Sequence, residues 1–381
     1  MAQFGNTPRD DNAQFDDGSK APSPDRPNVV QYFQAFHEMV AASQGLSVRY
    51  RDPAEIQPAE LQGFKAGLTI ASAYDPKVAI SDDGRYLAVL VEQSLGFVAL
   101  PGESNPRPKM FTHLMSDIHD GYRGAEQVAF AKTWNGLTLT TAAGGAKVYR
   151  LAWSEDLKDV PRVVGSTPAG DLNAFQALSP GGNTLAYCYF NGGASTSVTI
   201  CPLNIDYVYA PTAFEITGSL RAVQFNQSGS LLAAGSTTGH LHVHSAELLS
   251  QEAPISTKLK EPITSVGFGR DNTVFAGTDA GSLVALKPGD RPNSPVVLFD
   301  LPISKGTITA ITTYDQDSSV LVGTSKGEVF HVNREGTVQL LGKCPEEKIN
   351  SIATSADGKT VAIGLFNGGA LVFNRLPKDQ E

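Results

Sequence analysis

From about residue 76 to residue 376 the chain reads as short apolar runs of strand length, set apart by turns that carry glycine. Four stretches open alike: Leu220-Arg221-Ala222-Val223, Ile263-Thr264-Ser265-Val266, Ile308-Thr309-Ala310-Ile311 and Ile349-Asn350-Ser351-Ile352. Each begins a short strand that ends in a turn such as Gln227-Ser228-Gly229 or Ala356-Asp357-Gly358. A nearly wholly apolar run follows, as in Leu231-Leu232-Ala233-Ala234, Thr273-Val274-Phe275-Ala276, Val320-Leu321-Val322 and Val361-Ala362-Ile363. A run this short, bounded by turn residues, predicts a strand. The next turn reads Gly235-Ser236-Thr237-Thr238-Gly239, Gly277-Thr278-Asp279-Ala280-Gly281 and Gly323-Thr324-Ser325-Lys326-Gly327. In the fourth unit it runs from Gly364 to Gly369 with one extra residue. Glycine at both ends suits a tight hairpin with a left-handed backbone position. A third strand such as Glu328-Val329-Phe330-His331-Val332 follows, then a more polar outer one such as Val338-Gln339-Leu340-Leu341.

Successive openings lie 43, 45 and 41 residues apart. Three looser units precede them: Val78 through Asp82-Asp83-Gly84 to Leu100, Val128 through Trp134-Asn135-Gly136 to Trp153, and Phe175 through Pro180-Gly181-Gly182 to Pro202. The six intervals from Gly84 to Gly358 average about 46 residues, the spacing of four-stranded propeller blades. One such unit cannot bury both of its faces alone, whereas a ring of them hides apolar faces between neighbours. The expected fold is therefore all-β, a seven-bladed β-propeller with four-stranded antiparallel blades over residues 66–376. Gly67-Leu68-Thr69-Ile70-Ala71-Ser72 precedes the first unit, and no outer strand is evident after Phe373. Residues 66–74 are accordingly expected to supply the outer strand of the last blade.

Ser355-Ala356-Asp357-Gly358, the small-apolar strand after it and the glycine turn that follows resemble the WD-repeat family. The likeness extends from residue 66 onward, about four-fifths of the chain. The Trp-Asp pair that usually ends the third strand is absent: Leu286-Lys287, His244-Ser245 and Val332-Asn333 stand near those places. The Gly-His pair is also largely missing, with His119 as a remnant. The resemblance is thus to degenerate WD repeats, and it implies a propeller whose loops hold other proteins.

The remaining segments read differently. Residues 1–27 are rich in Asp, Asn, Gly, Pro and Ser and are expected to be a disordered acidic tail. Val29, Tyr32, Phe33, Phe36, Met39 and Val40 fall at helical spacing, which predicts one amphipathic helix from Asn28 to Ser43, within a helical segment of residues 28–45. That helix would dock on the propeller's flank or bind a partner. Residues 46–65 read as a linker and residues 377–381 as a C-terminal tail. The formal net charge of −9 disfavours broad nucleic-acid binding. Three cysteines, Cys188, Cys201 and Cys344, are few and odd in number, which points to a reducing compartment. The start lacks a secretory pattern and no apolar run is long enough to span a membrane, so a cytoplasmic location is expected.

Four patterns could carry chemistry. Gly323-Thr324-Ser325-Lys326-Gly327 matches the G-x-S-x-G of hydrolase elbows, but that chemistry needs a strand-to-helix turn, and equivalent turns carry Thr237 and Asp279. Gly358-Lys359-Thr360 resembles the end of a P-loop, but Ala353 replaces the required glycine. His240, His242 and His244 alternate on one strand face and could grip a metal, although nothing nearby completes the set. Cys188 and Cys201 sit on successive strands, with free thiols as the default reading.

The loop from Ser116 to Gly124 mixes charge, His and Tyr, and marks His119, Tyr122 and Arg123 as candidate partner-binding residues. Tyr122-Arg123-Gly124 has one arginine where phosphoinositide-binding propellers carry two, so that activity is not carried over. Trp134 in its hairpin turn and the turn residues Asp279 and Lys326 complete the candidate set. No catalytic, cofactor or metal residues are assigned. The expected function is a non-catalytic protein–protein interaction scaffold or a subunit of a larger complex. The alternatives are a lactonase- or hydrolase-type propeller enzyme working at the central channel, and a structural component of an assembly.

Overall fold

The computed structural model describes residues 28–30, 60–71, 76–91, 94–100, 109–114, 125–131, 136–141, 147–152, 162–166, 175–190, 194–202, 212–246, 255–287, 295–314, 317–344, 347–366 and 369–376. Among the described residues there is no helix; every regular element is a strand.

The strands form seven sheets. Sheet one holds Lys77–Ile80, Tyr86–Val91, Ser94–Ala99 and Lys109–Leu114. Sheet two holds Ala125–Ala131, Gly136–Thr141, Lys147–Ala152 and Arg162–Ser166. Sheet three holds Gln176–Leu178, Thr184–Phe190, Ser195–Pro202 and Thr212–Thr217. Sheet four holds Leu220–Phe225, Leu231–Ser236, His240–Ser245 and Ile255–Lys258. Sheet five holds Ile263–Phe268, Val274–Thr278, Ser282–Lys287 and Val296–Pro302. Sheet six holds Ile308–Tyr314, Ser319–Thr324, Glu328–Val332 and Val338–Lys343. Sheet seven holds Ile349–Thr354, Thr360–Leu365 and Gly369–Arg375, with Phe64–Ala71 antiparallel on the outer side of the last.

All of these pairings are antiparallel, and strands consecutive in the chain lie side by side. Two short strands are added at outer edges. Glu60–Leu61 pairs antiparallel with Val338–Lys343 of sheet six. Asn28–Val30 runs parallel to Leu68–Ile70 outside sheet seven.

That last pairing corrects the helix expected over residues 28–43. Asn28–Val30, its expected first turn, is extended. Val29 and Val30 are β-branched and favour a pleated backbone, and the outer edge of Phe64–Ala71 supplies the backbone partners that the first turn of a lone helix lacks. Residues 31–43 lie outside the described residues, as do the expected acidic tail up to residue 27 and the C-terminal tail. Within the expected linker, Glu60–Leu61 and the start of Phe64–Ala71 are strand.

No sheet closes on itself. The sheets are arranged as in a propeller: the first strand of each contacts the first strand of the next, and that of sheet seven contacts that of sheet one. Burial is graded across each sheet. The second strands Ser319–Thr324 and Thr360–Leu365 are buried at every position. Outer strands such as Val296–Pro302 are largely exposed. The apolar second-strand runs in the sequence are therefore strands covered on both faces.

Two contacts explain the repeated opening. Its isoleucine is wholly buried in sheets five, six and seven, where Ile263, Ile308 and Ile349 are each 0 % exposed. Each packs onto the glycine next to last in the second strand of the preceding sheet: Ile263 on Gly235, Ile308 on Gly277 and Ile349 on Gly323. A Cβ on Gly323 would stand 2.6 Å from Ile349 Cγ2, and the other two fits are tighter. The residues after the isoleucine reach forward. The Thr264 hydroxyl donates to the Ile308 carbonyl at 2.6 Å, Thr309 to Ile349 at 2.6 Å, and Ser351 to Pro76 at 3.0 Å. These bonds tie sheet five to six, six to seven and seven to one.

Gly277 has no positive φ, so a side chain there is opposed by packing alone. Gly277→Ala is expected to lower unfolding stability by about 1–3 kcal/mol through overpacking against Ile308 and Ser265. The added substitution Ile308→Val is expected to restore part of it. Urea midpoints of the two variants check this.

Candidate functional site

In antiparallel sheets joined this way, the turns between second and third strands emerge at the same end as the connections from each fourth strand to the next first strand. This end is the glycine-turn face, and Asp279 and Lys326 both lie on it, both exposed. Their turns are built alike. The residue after the first glycine is Ser236, Thr278 or Thr324, and its hydroxyl accepts the backbone N–H of His240 at 3.2 Å, Ser282 at 3.0 Å or Glu328 at 3.2 Å. The next N–H reaches the connection beside it: Thr237 to Ser219 O at 2.9 Å, Asp279 to Pro262 O at 3.1 Å, Ser325 to Thr307 O at 2.8 Å. Phe366 repeats the bond to Lys348 O at 2.8 Å.

Connections and turns of neighbouring sheets interlock. The Thr307 hydroxyl donates to the Asp279 carbonyl at 3.1 Å. The Lys326 side chain lies over Gly306, where a Cβ would meet its Cγ at 2.8 Å. Gly281 has φ +86° and presses against the Gly306 carbonyl, so an L side chain would be both strained and obstructed there. The structure thus brings Asp279 and Lys326 onto one surface through Gly306-Thr307. His119, Tyr122, Arg123 and Trp134 lie outside the described residues.

Three further residues of this face were not singled out by the sequence. Phe366 is 42 % exposed, and Lys348 Nζ sits 4.6 Å from its ring centroid. Lys305 is exposed and precedes Gly306. The extra residue in the turn from Gly364 to Gly369 was the one available signal for Phe366.

Two carboxylates on the face, Glu261 and Glu328, are engaged by hydroxyls. Glu261 Oε2 accepts from Thr278 Oγ1 at 2.5 Å. Glu328 Oε2 accepts from Thr324 Oγ1 at 3.1 Å and also from Ser304 Oγ.

The opposite face carries the turns between first and second strands, and there charges pair locally. In sheets one and seven the turns Ser81-Asp82-Asp83-Gly84-Arg85 and Ser355-Ala356-Asp357-Gly358-Lys359 share one geometry. Ser81 and Ser355 hydroxyls donate to Asp83 and Asp357 at 2.6 and 2.7 Å. Arg85 and Lys359 pair with the same carboxylates at 2.7 and 3.2 Å. Partial burial by itself would raise both carboxyls, but the serine hydroxyl, the backbone N–H and the cation hold them below the ordinary aspartate value. Arg334 and Glu335 pair at 2.6 Å on this face as well. The Ala356 N–H bonds the Asp82 carbonyl at 3.0 Å, and the Arg270 guanidinium donates to the Ala356 carbonyl from sheet five.

The other sequence patterns take structural places. Ser325 belongs to a strand-to-strand hairpin, and Gly358-Lys359-Thr360 to the hairpin just described. Cys188 is opposite Val198 and Cys201 opposite Leu185, so the two cysteines are not cross-strand partners. All three cysteines are buried, and none of them forms a disulfide. Burial raises the Cys201 thiol and pushes Cys344 up to about 12. Among the described residues no three His, Cys, Asp or Glu side chains are grouped to hold a metal ion.

His240, His242 and His244 share one face of their strand, toward sheet three. Phe214 stacks on His244 at 4.9 Å and on His242 at 6.1 Å. His244 Nδ1 donates to the Ser245 carbonyl at 2.6 Å, whereas His242 Nδ1 is buried without a partner. Burial first, then the neighbouring His240 and His244, lower His242 to about 4.

The unfolded imidazole takes its proton near 6.5 and the folded one only near 4, so between these values the unfolded chain binds more protons. The stability from a neutral His242 is full above pH 6.5 and is lost as pH falls toward 4. Urea midpoints measured across that window are expected to fall with pH, and His242→Gln is expected to flatten the slope. A scan against models of known protein families finds no match to this chain, and a search of curated proteins finds none.

Proposed function

We propose that this chain is a seven-bladed β-propeller of degenerate WD-repeat type and serves as a non-catalytic platform that holds partner proteins on its glycine-turn face. The observation that carries the reading is the succession of first-strand contacts from sheet one through sheet seven and back to sheet one. Seven sheets in cyclic order make a rigid body with two loop-bearing faces, a geometry suited to holding other chains. The pairing of Phe64–Ala71 with Gly369–Arg375 supports ring closure, because it joins the two ends of the repeat array in one sheet.

The glycine-turn face is favoured over its opposite for two reasons. Lys305 and Lys326 are exposed on it, and the half-buried Lys348 lies against an exposed aromatic ring, Phe366. On the opposite face the ion pairs Arg85–Asp83, Lys359–Asp357 and Arg334–Glu335 engage part of the exposed charge, while Lys287, Asp271 and Asp317 stand exposed beside them. Aromatic side chains that combine apolar area with few rotamers are the usual anchors of protein interfaces.

The test compares partners that co-purify with the intact chain from its source. Three forms are used: wild type, an Asp279→Ala/Lys326→Ala/Phe366→Ala variant, and a rim variant, Leu298→Ser, on the outer strand of sheet five. Proteins held stoichiometrically by wild type and rim variant, and reduced about tenfold or more by the face variant, support the reading. An identical protein set on all three overturns it. Matching circular dichroism spectra and melting temperatures establish that the variants fold.

A further inference from the structure

The glycine-turn face has a charge arrangement that a solvated surface does not require. Lys260 and Lys305 are exposed and stand three residues before the opening isoleucines Ile263 and Ile308. Lys326 is exposed and lies over Gly306, next to Lys305. Gly327, its other neighbour, abuts the backbone carbonyls of Cys344 and Glu347. Lys348 follows and covers part of Phe366. Lys305, Lys326, Lys348 and Phe366 therefore follow one another along the turns and connections of sheets six and seven as a stripe, with Lys260 beyond Asp279.

No ion pair engages Lys260, Lys305 or Lys326 among the described residues. Among the described residues, three carboxylates near the stripe are already engaged. Glu261 and Glu328 are held by hydroxyls, and Glu347 is only 7 % exposed and already engaged. Asp279 is the exposed acid at one end. The chain as a whole carries −9, so this cationic stripe stands against the sign of the molecule.

We propose that this stripe docks an acidic segment of a partner protein: side-chain carboxylates on Lys305, Lys326 and Lys348, and one apolar side chain against Phe366. The proposal rests on the platform reading and names its partner class. Charge complementarity selects the occupant. A carboxylate-bearing peptide needs a few discrete cations with an apolar contact between them, which the stripe supplies. A nucleic acid presents a continuous line of phosphates and would run off the stripe onto an acidic molecule.

The experiment uses the full chain and a fluorescently labelled peptide of Asp and Glu residues around one central leucine. Saturable binding is expected, weakening as added salt shortens the screening length to about 3 Å near 1 M. Lys305→Glu/Lys326→Glu is expected to weaken it about tenfold or more. Lys305→Arg/Lys326→Arg, which keeps both charges, is expected to retain it. Phe366→Ala is expected to weaken it, and Arg334→Ala/Glu335→Ala on the opposite face to leave it unchanged.

Absence of saturable binding overturns the proposal. So does equal binding by the charge-reversed variant, or tighter binding of a labelled oligothymidine. If the peptide fails while the face variant above still sheds its natural partners, the acidic class is wrong and the platform stands. If neither responds, both readings fall.

Discussion

The contact on which the arrangement depends is an isoleucine seated against bare glycine backbone. Where Ile263, Ile308 and Ile349 meet Gly235, Gly277 and Gly323, two sheets approach more closely than any Cβ would allow. Full burial of each isoleucine contributes about 1.5–3 kcal/mol. The larger effect is geometric. At the joints of sheets five and six and of sheets six and seven, the spacing set by Gly277 and Gly323 also decides whether Thr264 and Thr309 can reach the next main chain. Apolar packing and hydroxyl-to-carbonyl bonding are thus two results of one spacing at these two joints.

Much of this was legible in the residues, and the reason is periodicity. A unit that recurs must solve the same packing problem each time, so its openings, second-strand runs and glycine turns stand out in a single chain. The four-strand division of each unit and the outer position of Phe64–Ala71 follow from the same counting. Residues 28–30 were misread because Val29 belongs to an apolar helical spacing as well as to a β-branched pair, and only the available edge of Phe64–Ala71 decides between them. The functional face was less readable. Lys305 and Lys348 lie in connections whose sequence varies between units, and their place beside the Lys326 turn arises from the Lys326 side chain lying over Gly306 and from the backbone of Cys344 and Glu347 abutting Gly327. A linear pattern carries no trace of that.

The two faces divide the charged residues by use. At the first-turn end of sheets one and seven, Asp83 and Asp357 form part of the turns themselves, each bonded by a serine and a cation within the same few residues. At the glycine-turn end, Ser236, Thr278 and Thr324 do the corresponding structural work. The side chains of Lys305 and Lys326 enter no ion pair there among the described residues. A charge that the fold does not need is available to be selected for something else.

Pairing Phe64–Ala71 with Gly369–Arg375 has a consequence for biosynthesis. At about 5–20 residues per second, translation leaves the early strand waiting roughly 15–60 s for its partner. Throughout that interval Leu68 and Ile70, 2 % and 0 % exposed in the finished fold, have nowhere to be buried in their own sheet. The nascent chain therefore emerges with an apolar edge that the ribosome's surroundings must tolerate or shield, and the whole array settles only when the last sheet is made.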